Sequence, residues 1–480
     1  MAESDTSSWE KDVRDETWDY ADMEEEWELD DRLMYEAERR CPPEPSSGEG
    51  CDGEGGSGKG SALGLGLGAA LLLGASVGIG VGVSVAALAT IATRHIQYQK
   101  TSWWSNHRRT TQGKPLSAEQ WCGACSSDGT IDEADFLAVA RTVSKGGVSP
   151  SIRVTVWPFL LKLVQPSSAA ETRDAEFQTL RRRYANLVAL CKSLQSELLE
   201  DAVHEIPRLQ QAEEYRENKR IVNLDVVRTD FKSMAFINDA NPDDRNGPSR
   251  SQLDRDAEEL GVSDHVEASE YLSSEEKRLA KYMAKLLLCY SLHDPQTGYC
   301  QGMTDLIQPF VQVFEDEAIC FWAFASFMKE ARENFRTDED GIMKQINAVK
   351  GVLATLRPEL LEKLTAIGAG SCYFAYRMLL VYLRRELSLR DAMFLWEVMW
   401  AERILLKTST GLPEQAMPGF MVFVVVSIIL ELESQIYRTC QAESDVVEIF
   451  CNTSFDVWEV VDNARYVREE WVAAMSEVMA

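Results

Sequence analysis

Residues 273–303 read SSEEKRLAKYMAKLLLCYSLHDPQTGYCQGM. Ser273 stands three residues before Glu276, the form of a capping box, in which each side chain accepts a backbone N–H that a helix start would leave unpaired. Behind it Leu279, Met283, Leu286, Leu287 and Tyr290 recur at helical spacing and predict an amphipathic helix. The helix leads toward Gly298-Tyr299-Cys300-Gln301-Gly302-Met303, which offers one glutamine among fixed apolar neighbours. Upstream, Val222-Asn223-Leu224-Asp225-Val226-Val227-Arg228-Thr229 offers one arginine in the same way.

The helical pattern extends from Val148 nearly to the end, strand signals are few and short, and no internal repeat is evident. Phe177, Leu180, Tyr184, Leu187, Leu190 and Leu194 give segment 174–200 one apolar face. The run Phe420–Leu430 is apolar over 11 residues and ends at Glu431. A membrane span needs about 20 residues, so this run is expected to be a buried core helix. Residues 230–272, rich in Asp, Asn, Pro and Ser, are expected to form a surface excursion. The expected fold class is all-α.

The chain has 480 residues and a net charge of −28, which argues against nucleic acid as a partner. More than half of that charge is local: residues 1–57 hold 20 acidic against 5 basic side chains, a balance of −15. Residues 1–60 read as an acidic, disordered arm. Trp9, Trp18, Trp27, Leu29, Leu33 and Met34 leave a second reading open, a short acidic helix that folds on a basic partner. The 11 scattered cysteines fit a reducing compartment, and the 5 histidines make a His-rich metal site unexpected.

From Ser61 to Thr93 no residue is charged, a run of 33 positions. Gly66, Ala70, Gly74, Gly78, Gly82 and Ala86 form a four-residue ladder of small side chains, as in close-packed membrane helices, and such a ladder allows self-association. Residues 61–93 are therefore expected to be a transmembrane segment. Arg94, His95, Lys100, His107, Arg108, Arg109 and Lys114 follow the run, so positive-inside bias places the bulk of the chain in the cytosol and the acidic arm in the lumen. A re-entrant hairpin would instead keep both ends cytosolic. Residues 94–144 read as a polar connector, with a compact patch from Leu116 to Val143.

Three motifs carry little. Trp121-Cys122-Gly123-Ala124-Cys125 has redox spacing, but it lacks the preceding strand and following helix N-terminus that would lower a thiol pKa. The stretch Asp128 to Asp135 resembles half of a calcium loop, with Ala124 where the first carboxylate belongs. No glycine-rich loop ends in Gly-Lys-Ser/Thr, and Ser61 after Gly58-Lys59-Gly60 lacks the P-loop spacing, so a nucleotide site of the chain's own is not expected.

The arginine and glutamine motifs together resemble the TBC domain, the all-helical GTPase-activating domain for Rab-family GTPases. Val222, Asp225 and Arg228 match the family's Ile-x-x-Asp-x-x-Arg with valine for isoleucine, and Tyr299 and Gln301 match Tyr-x-Gln, followed by Asp305. Gly147 to Arg153 and Val156 to Leu161 resemble the family's entry segment, and Phe374 to Leu380, Arg384 to Leu387 and Leu395 to Ala401 its later helices. Leu116 to Trp121 with Asp128-Gly129 is similar to the lead-in of plant- and algal-type members, which gives Trp121 a role and leaves its cysteines incidental. The resemblance covers residues 116–475 and bounds a TBC domain at 145–475.

The resemblance implies a GTPase-activating protein. Arg228 is expected to be an arginine finger and Gln301 a glutamine finger, both supplied in trans to a Rab-family GTPase in its GTP state. Asp225 and Tyr299 are expected to support them, and Arg153 and Trp157 to be structural. The chain would need no cofactor of its own, since GTP and Mg belong to the partner. The expected setting is the endomembrane system, in vesicle trafficking and intracellular protein transport. The alternative reading is a catalytically inactive TBC-like scaffold that tethers a GTPase at a membrane.

Overall fold

The computed structural model describes residues 104, 107–200, 206–231, 234, 250–336, 340–406 and 417–479. The chain divides into two units, Met1–Ala87 and Leu88–Ala480, and all described residues belong to the second. The predicted acidic arm and membrane segment lie outside the described residues.

The described residues are helical, as expected. Helices of ten residues or more are α1 Glu133–Gly146, α2 Ala170–Glu200, α3 Ile206–Val226, α4 Arg250–Glu259, α5 Ser274–His293, α6 Met303–Val313, α7 Glu317–Ala331, α8 Asp340–Leu356, α9 Leu389–Leu406, α10 Phe420–Glu431, α11 Glu443–Asn452 and α12 Val457–Met479. Among the described residues the one β-type pairing outside helices is a parallel bridge between Leu116 and Val148.

The capping box opens α5 as predicted: Ser273 Oγ accepts the Glu276 N–H at 3.3 Å, and Glu276 Oε2 accepts the Ser273 N–H at 2.8 Å. Met283, Leu286, Leu287 and Tyr290 are buried, and α2, α3, α4 and α6 pack around the helix. A second centre is α10, whose residues from Phe420 to Leu430 are all buried against α12, α8 and α9. It is the core helix its length predicted. Among the described residues no single helix is long and apolar enough to cross a membrane; α10 and the short helix Glu433–Thr439 reach that length only as a pair bent by 50°. Between the two centres an aromatic cluster joins Trp157, Phe310, Phe327, Trp396 and Trp400, with Trp157 and Trp400 edge to face at 5.0 Å between centroids. Such pairs add attraction beyond the burial of their area.

One expectation needs correction. The stretch 230–272 was expected to be a surface excursion, but residues 250–272 belong to the body. There α4 packs on α5, and Leu253, Ala257, Leu260, Val262 and Val266 are buried. Its polarity misled because part of its charge is internal. Asp256, 3% exposed, receives Lys285 and Lys192, each at 2.6 Å, and Lys285 also meets Glu317 at 2.6 Å. Pairing is what allows such ions to be buried. Within residues 94–144, the compact patch expected from Leu116 to Val143 leads into a helix of the body. Val139, Ala140 and Val143 of α1 are buried, and α1 runs along α9.

Candidate functional site

The arginine motif lies at the end of α3. The helix presents Asn218, Val222 and Asp225 at spacings of four and three, one face. Beyond Val226 the chain turns, and the Arg228 N–H donates to the Asp225 carbonyl at 3.0 Å. Asp225 is 8% exposed, and its Oδ2 accepts the Tyr299 hydroxyl at 2.6 Å. Burial pushes the Asp225 carboxyl above its usual range, against the Tyr299 hydrogen bond and the charges of Arg228 and Arg385. Burial, with the neighbouring Asp225, pushes the Tyr299 phenol well above its own range, so the tyrosine stays protonated and donates.

The glutamine motif is a braced loop between α5 and α6. The Asp294 carbonyl accepts the Thr297 and Gly298 N–H groups at 3.2 and 2.8 Å, and its carboxylate accepts the Tyr290 and Thr297 hydroxyls at 2.9 and 2.8 Å. The Tyr299 N–H donates to Asn218 Oδ1 at 2.9 Å, a second tie to α3. Gly302, at φ +99°, is the N-cap of α6, and a Cβ there would lie 3.2 Å from Val381 Cγ1. Both the left-handed backbone and the close approach call for glycine. The Cys300 thiol reaches the Thr297 and Phe335 carbonyls at 3.5 and 3.6 Å, and burial pushes its pKa up to about 12.

On this frame Arg228 and Gln301 are exposed. Among the described residues no hydrogen bond or ion pair holds either side chain. Arg228 forms no ion pair with Asp225, whose Oδ2 accepts the Tyr299 hydroxyl instead. The Asp225–Tyr299 bond therefore joins the two motifs and leaves both polar ends outside it. Arg153 and Trp157 are structural, as expected: Arg153 Nε and Trp157 Nε1 donate to Glu397 Oε1 at 2.7 and 2.8 Å.

Asn218 was missed. It stands seven residues, two helical turns, before Asp225, a spacing that could have marked it. Arg385, which donates from Nε to Asp305 Oδ2 at 2.9 Å, was quoted only as part of a later segment. Cys122 and Cys125 are free thiols at the C-terminal end of the short helix Ala118–Ala124, and burial pushes the Cys125 thiol up. That is opposite to a redox-active placement. Asp128 accepts the Thr130 N–H and hydroxyl at 3.0 and 2.8 Å, a local turn. Among the described residues no group of three His, Cys, Asp or Glu side chains is placed to hold a metal.

Residues 248–421 match the family model for the Rab-GTPase-TBC domain. The matched stretch contains Tyr299 and Gln301 and begins after Asp225 and Arg228. The chain is 31% identical over 266 residues to Rab GTPase-activating protein 22 of Arabidopsis thaliana, covering 53% of this chain and 46% of that protein. It is 28% identical over 309 residues to GTPase-activating protein GYP7 of Debaryomyces hansenii, covering 61% of this chain and 37% of that protein. The chain thus spans less than half the length of these relatives. The crystal structure of the Ypt/Rab-GAP domain of Gyp1p superposes with a TM-score of 0.51 at 14% identity, over 74% of this chain and 98% of that one, which is a likeness of fold.

Proposed function

We propose that this chain, which carries a Rab-GTPase-TBC domain, accelerates GTP hydrolysis by a Rab-family small GTPase in its GTP state. Arg228 and Gln301 act in trans, each from the edge of a frame fixed by the Asp225–Tyr299 hydrogen bond. Hydrolysis of GTP needs a cation against the charge spreading over the γ-phosphoryl oxygens, and a group that orients the attacking water. Arg228 supplies the first and Gln301 the second. Asp225, Tyr299 and Asn218 hold the two segments, because a donor contributes most when it is already aimed before charge develops. The nucleotide and its Mg belong to the partner. The observation that carries this reading is that the two side chains suited to the chemistry are exposed and unpartnered among the described residues, while Asp225 and Tyr299 beside them are buried and paired.

Single-turnover GTP hydrolysis by a panel of Rab GTPases tests it, with wild type beside Arg228→Ala and Gln301→Ala. Acceleration that each substitution cuts strongly is the expected result. No acceleration of any Rab overturns it, and GTP-dependent binding without hydrolysis identifies a scaffold instead. The setting we propose is a membrane of the endomembrane system, with residues 61–93 as a single span and the helical body cytosolic. Release of the full chain into the soluble fraction by carbonate would end that part of the reading.

A further inference from the structure

We infer that Arg385 is a positioning residue for Gln301, acting through Asp305 at the start of α6. The inference rests on the reading of Gln301 as a finger. Gln301 immediately precedes Gly302, the left-handed cap of α6, and the Asp305 N–H donates to the Gly302 carbonyl at 3.1 Å. The segment 381–385 grips the first half of this helix and its cap at three points. Val381 Cγ1 lies against Gly302, Arg385 Nε donates to Asp305 Oδ2 at 2.9 Å, and the Arg384 guanidinium donates to Gln308 Oε1 at 2.5 Å.

The gripping segment is itself held in an unusual shape. Tyr382 and Leu383 have φ of +52° and +59°, a region that side chains other than glycine rarely adopt. Such a conformation persists where the surroundings over-determine it. Here the Leu383 N–H donates to the Met378 carbonyl at 2.8 Å, the Arg384 N–H to the Val381 carbonyl at 2.9 Å, and Trp396 Nε1 to the Tyr382 carbonyl at 2.9 Å. The turn directs two successive arginines at one helix. Arg384 is buried, 7% exposed, whereas the Arg385 and Asp305 side chains are 30% and 20% exposed. An ion pair that open adds little stability. What it fixes is the direction of the first turn of α6, and with it the loop that ends in Gln301. Both partners also lie within electrostatic reach of the Asp225 carboxyl, so the pair sits beside the bond that joins the two motifs.

The test uses the full chain as wild type, Arg385→Ala, Arg385→Lys and the exchange Arg385→Asp with Asp305→Arg. Amide hydrogen exchange over residues 299–306 is read without any GTPase. Single-turnover kinetics are read with a Rab that wild type accelerates. Arg385→Ala is expected to speed exchange in that segment and to lower the maximal rate about tenfold, since small misplacements of an aimed group are costly. The half-saturating concentration should hold within about twofold and the melting temperature within about 2 °C. The exchanged pair should recover part of the rate. Unchanged amide exchange overturns the inference, and so does a rise in half-saturation at unchanged maximal rate, which would mean that Arg385 touches the partner. If wild type accelerates no Rab, the finger reading has failed, and amide exchange still decides whether Arg385 braces the loop.

Discussion

Two arginines, Arg153 and Arg228, stand in the two motif-rich parts of the chain and meet opposite surroundings. Arg153 opens the helix Arg153–Leu160 and faces Glu397, a carboxylate with no exposed surface. Its Nε and a terminal nitrogen lie 2.7 and 3.4 Å from the two carboxylate oxygens, which also accept the Trp157 indole at 2.8 Å and the Val148 N–H at 2.9 Å. Arg228 is exposed, and no described residue pairs with it. Its anchorage lies one step back, in Asp225 and Tyr299. A satisfied cation inside the body serves the fold. A cation left open on a satisfied base is available to a charge that arrives from outside.

Swapping each arginine for alanine should separate the two roles and gives the largest effects. Arg228→Ala is expected to lower the single-turnover rate by about 10³–10⁵ and leave the melting temperature unchanged. Arg153→Ala strands a buried carboxylate at a cost of about 3–5 kcal/mol, so its melting temperature should drop by several degrees while the folded fraction keeps its rate. A lowered melting temperature in Arg228→Ala would mean that this arginine, too, is structural.

Gln301→Ala extends the comparison to the second motif. Loss of one aimed donor is expected to cost about 10²–10³ in rate, again without a change in the melt. A thermal shift comparable to that of Arg153→Ala would make Gln301 a capping residue of its loop.

Tyr299→Phe tests the base rather than the ends. It removes the hydroxyl that donates to a carboxylate only 8% exposed, so a stability loss of about 1–3 kcal/mol is expected. Arg228 and Gln301 remain, and of the two ties between their segments only the backbone one through Asn218 survives, so the rate should fall by about tenfold, less than for either finger. A variant with the lost stability and the full rate would show that the Asp225–Tyr299 bond holds the fold and not the aim.

Much of the paired half was legible in the sequence, and the reasons are local. The capping box at Ser273 and the apolar spacing of α5 are read within a few residues, and the 11-residue limit of Phe420–Leu430 identified α10 as core. Asp225, Arg228, Tyr299 and Gln301 were singled out, and the hydrogen bond between Asp225 and Tyr299 joins the motifs across 74 residues. What composition hid was charge that folds inward. Asp256 is one of the charges that made 230–272 look solvated, although its pairing with Lys285 of α5 at 2.6 Å is buried. The brace on α6 was hidden for another reason: Arg385 and Asp305 are 80 residues apart, and nothing in the local pattern of Tyr382-Leu383 announces a left-handed backbone.

The smallest effect contrasts two carboxylates by pH. Glu402 accepts Arg465 Nε, the Ser144 hydroxyl and an Arg468 nitrogen at 2.8, 2.8 and 2.9 Å. Burial pushes its carboxyl up, but the two guanidinium groups outweigh that and hold it below the usual glutamate range. Unfolding then takes up a proton, so the stability Glu402 contributes is present above the ordinary glutamate pKa and is lost as pH falls through the lower folded value. Asp225 has the opposite shift, raised by burial. Its contribution is full below the ordinary aspartate pKa and is lost as pH rises through the higher folded value. Thermal melts between pH 3.5 and 7 should therefore show the advantage of wild type over Glu402→Gln shrinking on acidification, and the advantage over Asp225→Asn shrinking on the way back to neutral. Each change should amount to a few degrees at most. Parallel slopes would mean that the two carboxyls are shifted in the same direction. Asp225 would then be governed by its charged neighbours, as Glu402 is, and not by burial beneath an open arginine.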